Sequence, residues 1–123
     1  MRAFTTRAFQ DWAEDQHIPE DQLADSVREI EQGLIDADLG GHLIKKRVAR
    51  AGQGKSGGFR TILAFQKEQR AFFLYGFAKN ERDNITPKEL KALRILGNEF
   101  LSYDDETLQR LLFLEEIFEI EVD

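Results

Sequence analysis

Three strand-like runs follow one another through the middle of this chain, and they constrain its fold more than any other feature. Residues 43–49, 59–65 and 71–78 read as strands. In the second run Phe59, Thr61, Leu63 and Phe65 fall on one face and Arg60, Ile62 and Ala64 on the other, the two-residue period of a pleated strand. The third run, Ala71 to Ala78, is apolar throughout, as expected of a central strand covered on both faces. A polar stretch, Gln66-Lys-Glu-Gln-Arg70, joins the last two, and a loop with four glycines, at 52, 54, 57 and 58, joins the first two. Consecutive strands with short links favour an antiparallel meander.

Helices are expected on both sides of this block. Thr6 to Asp15 places Phe9, Trp12 and Ala13 at helical spacing. Pro19 then suits the first turn of a second helix, in which Leu23, Val27, Ile30 and Leu34 form one apolar stripe; Gly40-Gly41 closes that region. The clearest local signal is Ile85-Thr-Pro-Lys-Glu-Leu90. Thr86 as N-cap, Pro87 at N1 and Glu89 at N3 make a capping box, with Ile85 and Leu90 at the hydrophobic-staple positions. That helix runs on through Leu93, Leu96 and Phe100. Residues from Ser102 to Asp105 cap a further helix carrying Leu108, Leu111 and Leu112. The acidic tail fits a strand, a helix extension or a frayed end. With Arg2–Thr5 as a short first strand, the predicted order is β-α-α-β-β-β-α-α. This is an α+β fold with helices packed on an antiparallel meander sheet. At 123 residues one domain is expected over 1–123, with a basic core at 42–96 and an acidic C-terminal part at 97–123.

Charge is sorted along the chain. Residues 1–41 hold 3 Lys/Arg against 10 Asp/Glu, residues 42–94 hold 13 against 4, and residues 95–123 hold 1 against 9. An overall charge of −6 therefore conceals a strongly basic middle, the electrostatic footprint expected of a polyanion-binding face. Several chemistries are disfavoured. With no Cys there is neither a disulfide framework nor a thiolate metal site. The two histidines, His17 and His42, are far apart, and the basic middle has only Glu68, Glu81, Asp83 and Glu89 as carboxylates, so no metal centre or cofactor is expected. Gly54-Lys55-Ser56 suggests a phosphate loop, but position 49 is Ala and a strand follows where that motif needs a helix. No apolar run is long enough to span a bilayer, and the N-terminus lacks a secretory core. A cytoplasmic protein with no membrane partner is expected.

What remains is a basic, glycine-rich strand system with interleaved aromatics. Lys45, Lys46, Arg47, Arg50 and Lys55 precede Arg60, and Lys79 and Arg82 follow the aromatic strand. Antiparallel pairing brings the end of the third strand beside the start of the second, so Lys79 and Arg82 are expected near Lys55 and Arg60. Arg supplies bidentate phosphate contacts and Lys a compact charge. Phe59, Tyr75 and Phe77 are candidates to stack bases, with core packing as the competing role for Phe59 and Phe77.

Lys55-Ser-Gly-Gly-Phe-Arg-Thr-Ile-Leu-Ala-Phe, followed by Arg70-Ala-Phe-Phe-Leu-Tyr-Gly-Phe-Ala-Lys-Asn-Glu-Arg-Asp-Asn-Ile, closely resembles the RelE/ParE toxin superfamily, and within it the RelE/HigB-type branch. The match is strongest over residues 42–96. The resemblance implies a type II toxin that cleaves mRNA in the ribosome without metal, partnered by an antitoxin encoded by an adjacent gene. It also implies site residues. Arg60 matches the strand arginine that contacts the scissile phosphate. Lys55 occupies the basic position before that strand, Lys79 resembles the second basic position, and Arg82 is its near alternative. Lys45, Lys46, Arg47, Arg50, Tyr75 and Phe77 complete the expected RNA-binding set. Some members use a C-terminal Tyr or His; here the nearest is Tyr103. The superfamily leaves two alternatives, a ParE-like DNA gyrase poison and a non-catalytic member that only binds its antitoxin.

Overall fold

A computed structural model describes residues 1–49 and 58–123. The elements run β1 (Arg2–Thr6), α1 (Arg7–Asp15), α2 (Glu20–Glu31), β2 (Ala37–Gly40), β3 (Leu43–Val48), β4 (Phe59–Gln66), β5 (Arg70–Ala78), α3 (Pro87–Ser102), α4 (Asp105–Phe113) and β6 (Ile117–Ile120). They form a six-stranded sheet in the order β2-β3-β4-β5-β1-β6. The β3–β4–β5 meander is antiparallel, as expected from its short links. β1 lies parallel to β5, with Ala3 opposite Ala71, and antiparallel to β6. The α+β architecture holds, with two strands more than the sequence pattern suggested.

Helices cover both faces, and the alternation along each strand sorts side chains between two cores. Phe9, Ala13, Leu23, Val27 and Ile30 from α1 and α2 meet Ile44, Phe59, Leu63 and Phe73 on one face. Phe4, Leu43, Ile62, Phe72 and Leu74 meet α3 and α4 on the other, where Leu108 is fully buried. The register between β4 and β5 shifts at Ile62/Leu63, whose partners are Tyr75 and Phe73. The extra residue, Leu74, lets both it and Tyr75 pack on the α3 side. A bulge of this kind re-aims every side chain beyond it.

The capping box forms as its spacing requires. Thr86 Oγ1 accepts from Glu89 N–H at 3.1 Å and Glu89 Oε1 accepts from Thr86 N–H at 2.8 Å. α2 ends earlier than its apolar stripe implied. Gly33, at φ +86°, terminates it. Its N–H bonds to Ile30 C=O, and Leu34 N–H bonds to Glu29 C=O, the paired bonds of a Schellman motif. Leu34 is thereby expelled from the stripe and left exposed. His17 closes α1 and Glu115 closes α4 by the same bonds, both with left-handed backbone. After Glu115 the tail resolves as a strand. No described helix is long and apolar enough to cross a membrane.

Candidate nucleic-acid interface

The basic face lies at one end of β3, β4 and β5, on the side that carries α3. Register defines it. Arg47, Arg60 and Phe77 share one rung across the three strands, and Lys45, Ile62 and Tyr75 share another. Residues directly opposite in antiparallel pairs point to the same side, about 5 Å apart. Ile62 and Tyr75 pack with α3, so Lys45, Arg47 and Arg60 project to that side as well. Lys46, one position out of phase, projects to the other.

Arg60 is 7% exposed and stands in the floor of this face. Its guanidinium reaches Phe59 C=O at 3.4 Å. Arg47 is more exposed and is held by Asp36, which accepts from both its backbone N–H and its Nε. Burial opposes ionisation of Asp36, but those two hydrogen bonds outweigh it and hold the carboxyl below its ordinary value. Lys79 is exposed at the end of β5. Its N–H donates to Gly58 C=O at 3.3 Å, which brings it to the beginning of β4 beside Arg60, as the antiparallel argument required.

Arg82 is organised differently. Its Nη1 donates to Tyr75 Oη at 3.1 Å and Glu89 Oε2 at 3.0 Å, its Nη2 to Glu89 Oε1 at 2.6 Å and its Nε to Asn84 C=O at 2.9 Å. Its guanidinium carbon stands 5.6 Å from the Phe77 ring centroid. This arginine ties the aromatic end of β5 to the capping box of α3. Sequence spacing showed Glu89 as a helix cap, but gave no sign that the same carboxylate anchors a predicted site residue. The hydrogen bond from Arg82, supported by Thr86 N–H, lowers the Glu89 carboxyl from 4.5 to about 2 and raises Arg82 further.

A pH dependence follows from that shift. The folded value lies below the unfolded one, so the stabilising contribution of Glu89 is complete above about pH 4.5 and is lost as pH falls towards 2. Thermal melts across this window are expected to show a steeper loss of stability in the wild type than in Glu89→Gln. Parallel profiles would contradict the assignment.

Two predicted RNA contacts are repositioned. Lys46 is buried on the α2 side, where its ammonium pairs with Glu29 at 2.8 Å and donates to Leu34 C=O at 2.7 Å. The two-residue period separates it from Arg47 and Lys45. Phe77 is buried, with the Tyr75 ring 6.1 Å away and Arg82 beside it, so it forms a wall of the face and not a stacking platform. Tyr75 is half-buried. Tyr103 is remote. It caps the far end of α3, its hydroxyl donates to Glu99, and its carbonyl accepts from Arg70 at the opposite end of β5. Arg50 and Lys55 lie outside the described residues.

This arrangement of three basic strand ends, an arginine in the floor and an anchored aromatic pair is suited to holding a phosphodiester. A search of curated proteins finds no match to the chain. The family model described as "RelE toxin of RelE / RelB toxin-antitoxin system" matches residues 1–120. Nearly the whole fold is included in that match, from β1 to β6, and the chain belongs to the RelE toxin family.

Proposed function

We propose that this toxin inhibits translation by cutting mRNA on the ribosome, without a metal ion, at the basic end of β3–β5. Membership of a toxin–antitoxin family makes the chain a toxin with an antitoxin as partner; the reaction and its residues are our reading. The observation that carries it is the Arg47–Arg60–Phe77 rung, which sets an arginine in the floor of a cationic face on the α3 side.

RNA cleavage by the 2′-OH requires a proton to leave that hydroxyl, negative charge to be stabilised on the pentacoordinate phosphorus, and a proton to reach the departing 5′-oxygen. Arg60 and Lys79 stabilise the charge. A guanidinium already fixed in a partly desolvated floor does this without reorganising. Lys55, outside the described residues, is assigned the proton transfers from its place just before β4 in the sequence. Arg82 acts as a positioning residue, because its donors are committed to Glu89, Tyr75 and Asn84. Lys45, Arg47 and Arg50 hold flanking phosphates, and Tyr75 orients a base. The ribosome prearranges the message, supplying proximity that this small set of groups lacks. The acidic N- and C-terminal parts repel RNA elsewhere and leave this face as the one available to it. The reading places the toxin in the cytoplasm as one domain over 1–123.

Induced expression in a bacterial host tests the reaction class. Truncated messages and a fall in protein synthesis, with DNA intact, are expected. DNA breaks with intact messages would instead favour gyrase poisoning, and neither effect would favour an antitoxin-binding role alone.

A further inference from the structure

Tyr75 carries a hydroxyl proton that the fold leaves unspent. Arg82 Nη1 stands 3.1 Å from Tyr75 Oη. A guanidinium has donors and no acceptor, so it fills the accepting side of that oxygen and cannot take its hydrogen. Among the described residues no other partner reaches the hydroxyl. Tyr75 is therefore set as a donor, with its O–H turned away from Arg82.

Arg82 is held too firmly to release it. Four of its five N–H groups are engaged: Nε by Asn84 C=O, both on Nη1 by Tyr75 and Glu89, and one on Nη2 by Glu89. Glu89 is itself fixed, because its Oε1 also accepts the Thr86 N–H at the start of α3. The helix start holds the carboxylate, the carboxylate holds the guanidinium, and the guanidinium orients the phenol.

The surroundings select the ligand. Glu89 meets Arg82 through both carboxylate oxygens, so this corner lacks the net positive charge found at Arg60 and Lys79. The Tyr75 and Phe77 rings line it, 6.1 Å apart. A neutral, aromatic corner with one fixed donor suits a base better than a phosphate. Tyr75 lies two positions along β5 from Phe77, which shares its rung with Arg60, a separation of about 7 Å at strand spacing. A nucleotide next to the phosphate at Arg60 is thus within reach of the hydroxyl.

We infer that Tyr75 is a specificity-determining residue that donates to the keto oxygen of one message base, guanine O6 or uracil O4, and that Glu89 is the positioning residue that keeps it a donor through Arg82. This inference rests on the cleavage reaction proposed above. Adenine and cytosine present an amino group at the corresponding place. That amine would meet the hydroxyl as a second donor, and the side of Tyr75 Oη that could accept from it is already filled by Arg82.

The test maps ribosome-dependent cuts by sequencing message ends over a pool of messages that contains every codon. Wild type, Tyr75→Phe, Glu89→Ala and Glu89→Gln are compared at neutral pH. Phenylalanine keeps the ring and removes only the hydroxyl. Wild-type cuts are expected to favour G or U over A or C at one position beside the cut. In Tyr75→Phe that preference should fall by about three- to tenfold, the scale of one hydrogen bond, through loss of cutting at G and U. Glu89→Ala unfastens Arg82 and should weaken the same preference. Glu89→Gln keeps a capping residue and an acceptor for the guanidinium, and should match the wild-type profile. A loss of stability alone would lower cutting at all codons together. An unchanged preference in Tyr75→Phe, or a wild type that favours A or C or shows no base preference, would overturn the role of Tyr75 and leave the cleavage reaction standing. An unchanged profile in Glu89→Ala would overturn the positioning role of Glu89. No cut by the wild type would overturn the reaction itself and this inference with it.

Discussion

Replacing Arg60 by Ala is expected to abolish growth inhibition and to slow message cleavage by about 10²- to 10³-fold, the scale set by removal of one preorganised donor to a developing charge. Among the described residues, Arg47 is the other guanidinium on the Arg60 rung. Arg47 is committed to Asp36 and Arg82 to Glu89, so neither substitutes for it. Arg60→Lys separates charge from geometry. Lysine keeps the positive charge but lacks the bidentate fork, so an intermediate rate is expected. The far-UV circular dichroism of Arg60→Ala should match the wild type, because the residue belongs to neither apolar core. Full toxicity in a folded Arg60→Ala protein would remove the residue from the mechanism.

Gly76→Ala is the second large effect, and it acts on folding. Gly76 lies on β5 between Tyr75 and Phe77, facing α1. A Cβ there would stand 2.2 Å from Trp12 Cζ3 and 2.5 Å from its Cη2, closer than any real contact. Trp12 cannot swing freely, because its ring also packs against Phe9 and edge-on against Phe59, with centroids 5.4 Å away in each case. The indole and the strand must therefore separate, at a cost of about 1–3 kcal/mol or more. Urea denaturation of a double-mutant cycle with Trp12→Ala isolates the clash. In the Trp12→Ala background, Gly76→Ala should cost little, since neighbouring residues couple strongly. An equal cost in both backgrounds would show that the glycine is needed for another reason.

These two positions also show how far the sequence could be read. The rung containing Arg60 follows from strand alternation and short links, both visible in the chain. Thr86, Pro87 and Glu89 gave the start of α3 correctly because a capping box is a local device. β2 escaped notice because Ala-Asp-Leu-Gly has no strand propensity of its own and is held by pairing with β3. The alternation in the tail does not choose between strand and helix; the left-handed Glu115 turns it back beside β1. The parallel pairing of β1 with β5 joins the two ends of a long connection, which no local pattern encodes.

The site was partly legible for similar reasons. Treating Lys45, Lys46 and Arg47 as one basic run missed the alternation that sends Lys46 to Glu29. The roles of Phe77 and Arg82 depended on the bulge at Leu74 and on a carboxylate already assigned to capping. A glycine at position 33 is a sequence signal for a helix end, and its left-handed backbone ends α2 before Leu34.

The central claim is ribosome-dependent cleavage at the Arg60 face. Primer extension on a defined message in a purified translation system, with ribosomes present and absent, tests it most directly when Arg60→Ala is run beside the wild type. Codon-phased cuts that need ribosomes and vanish in the variant are the predicted result. An uncut message with ribosomes present, or identical cutting by the wild type and Arg60→Ala, would contradict it.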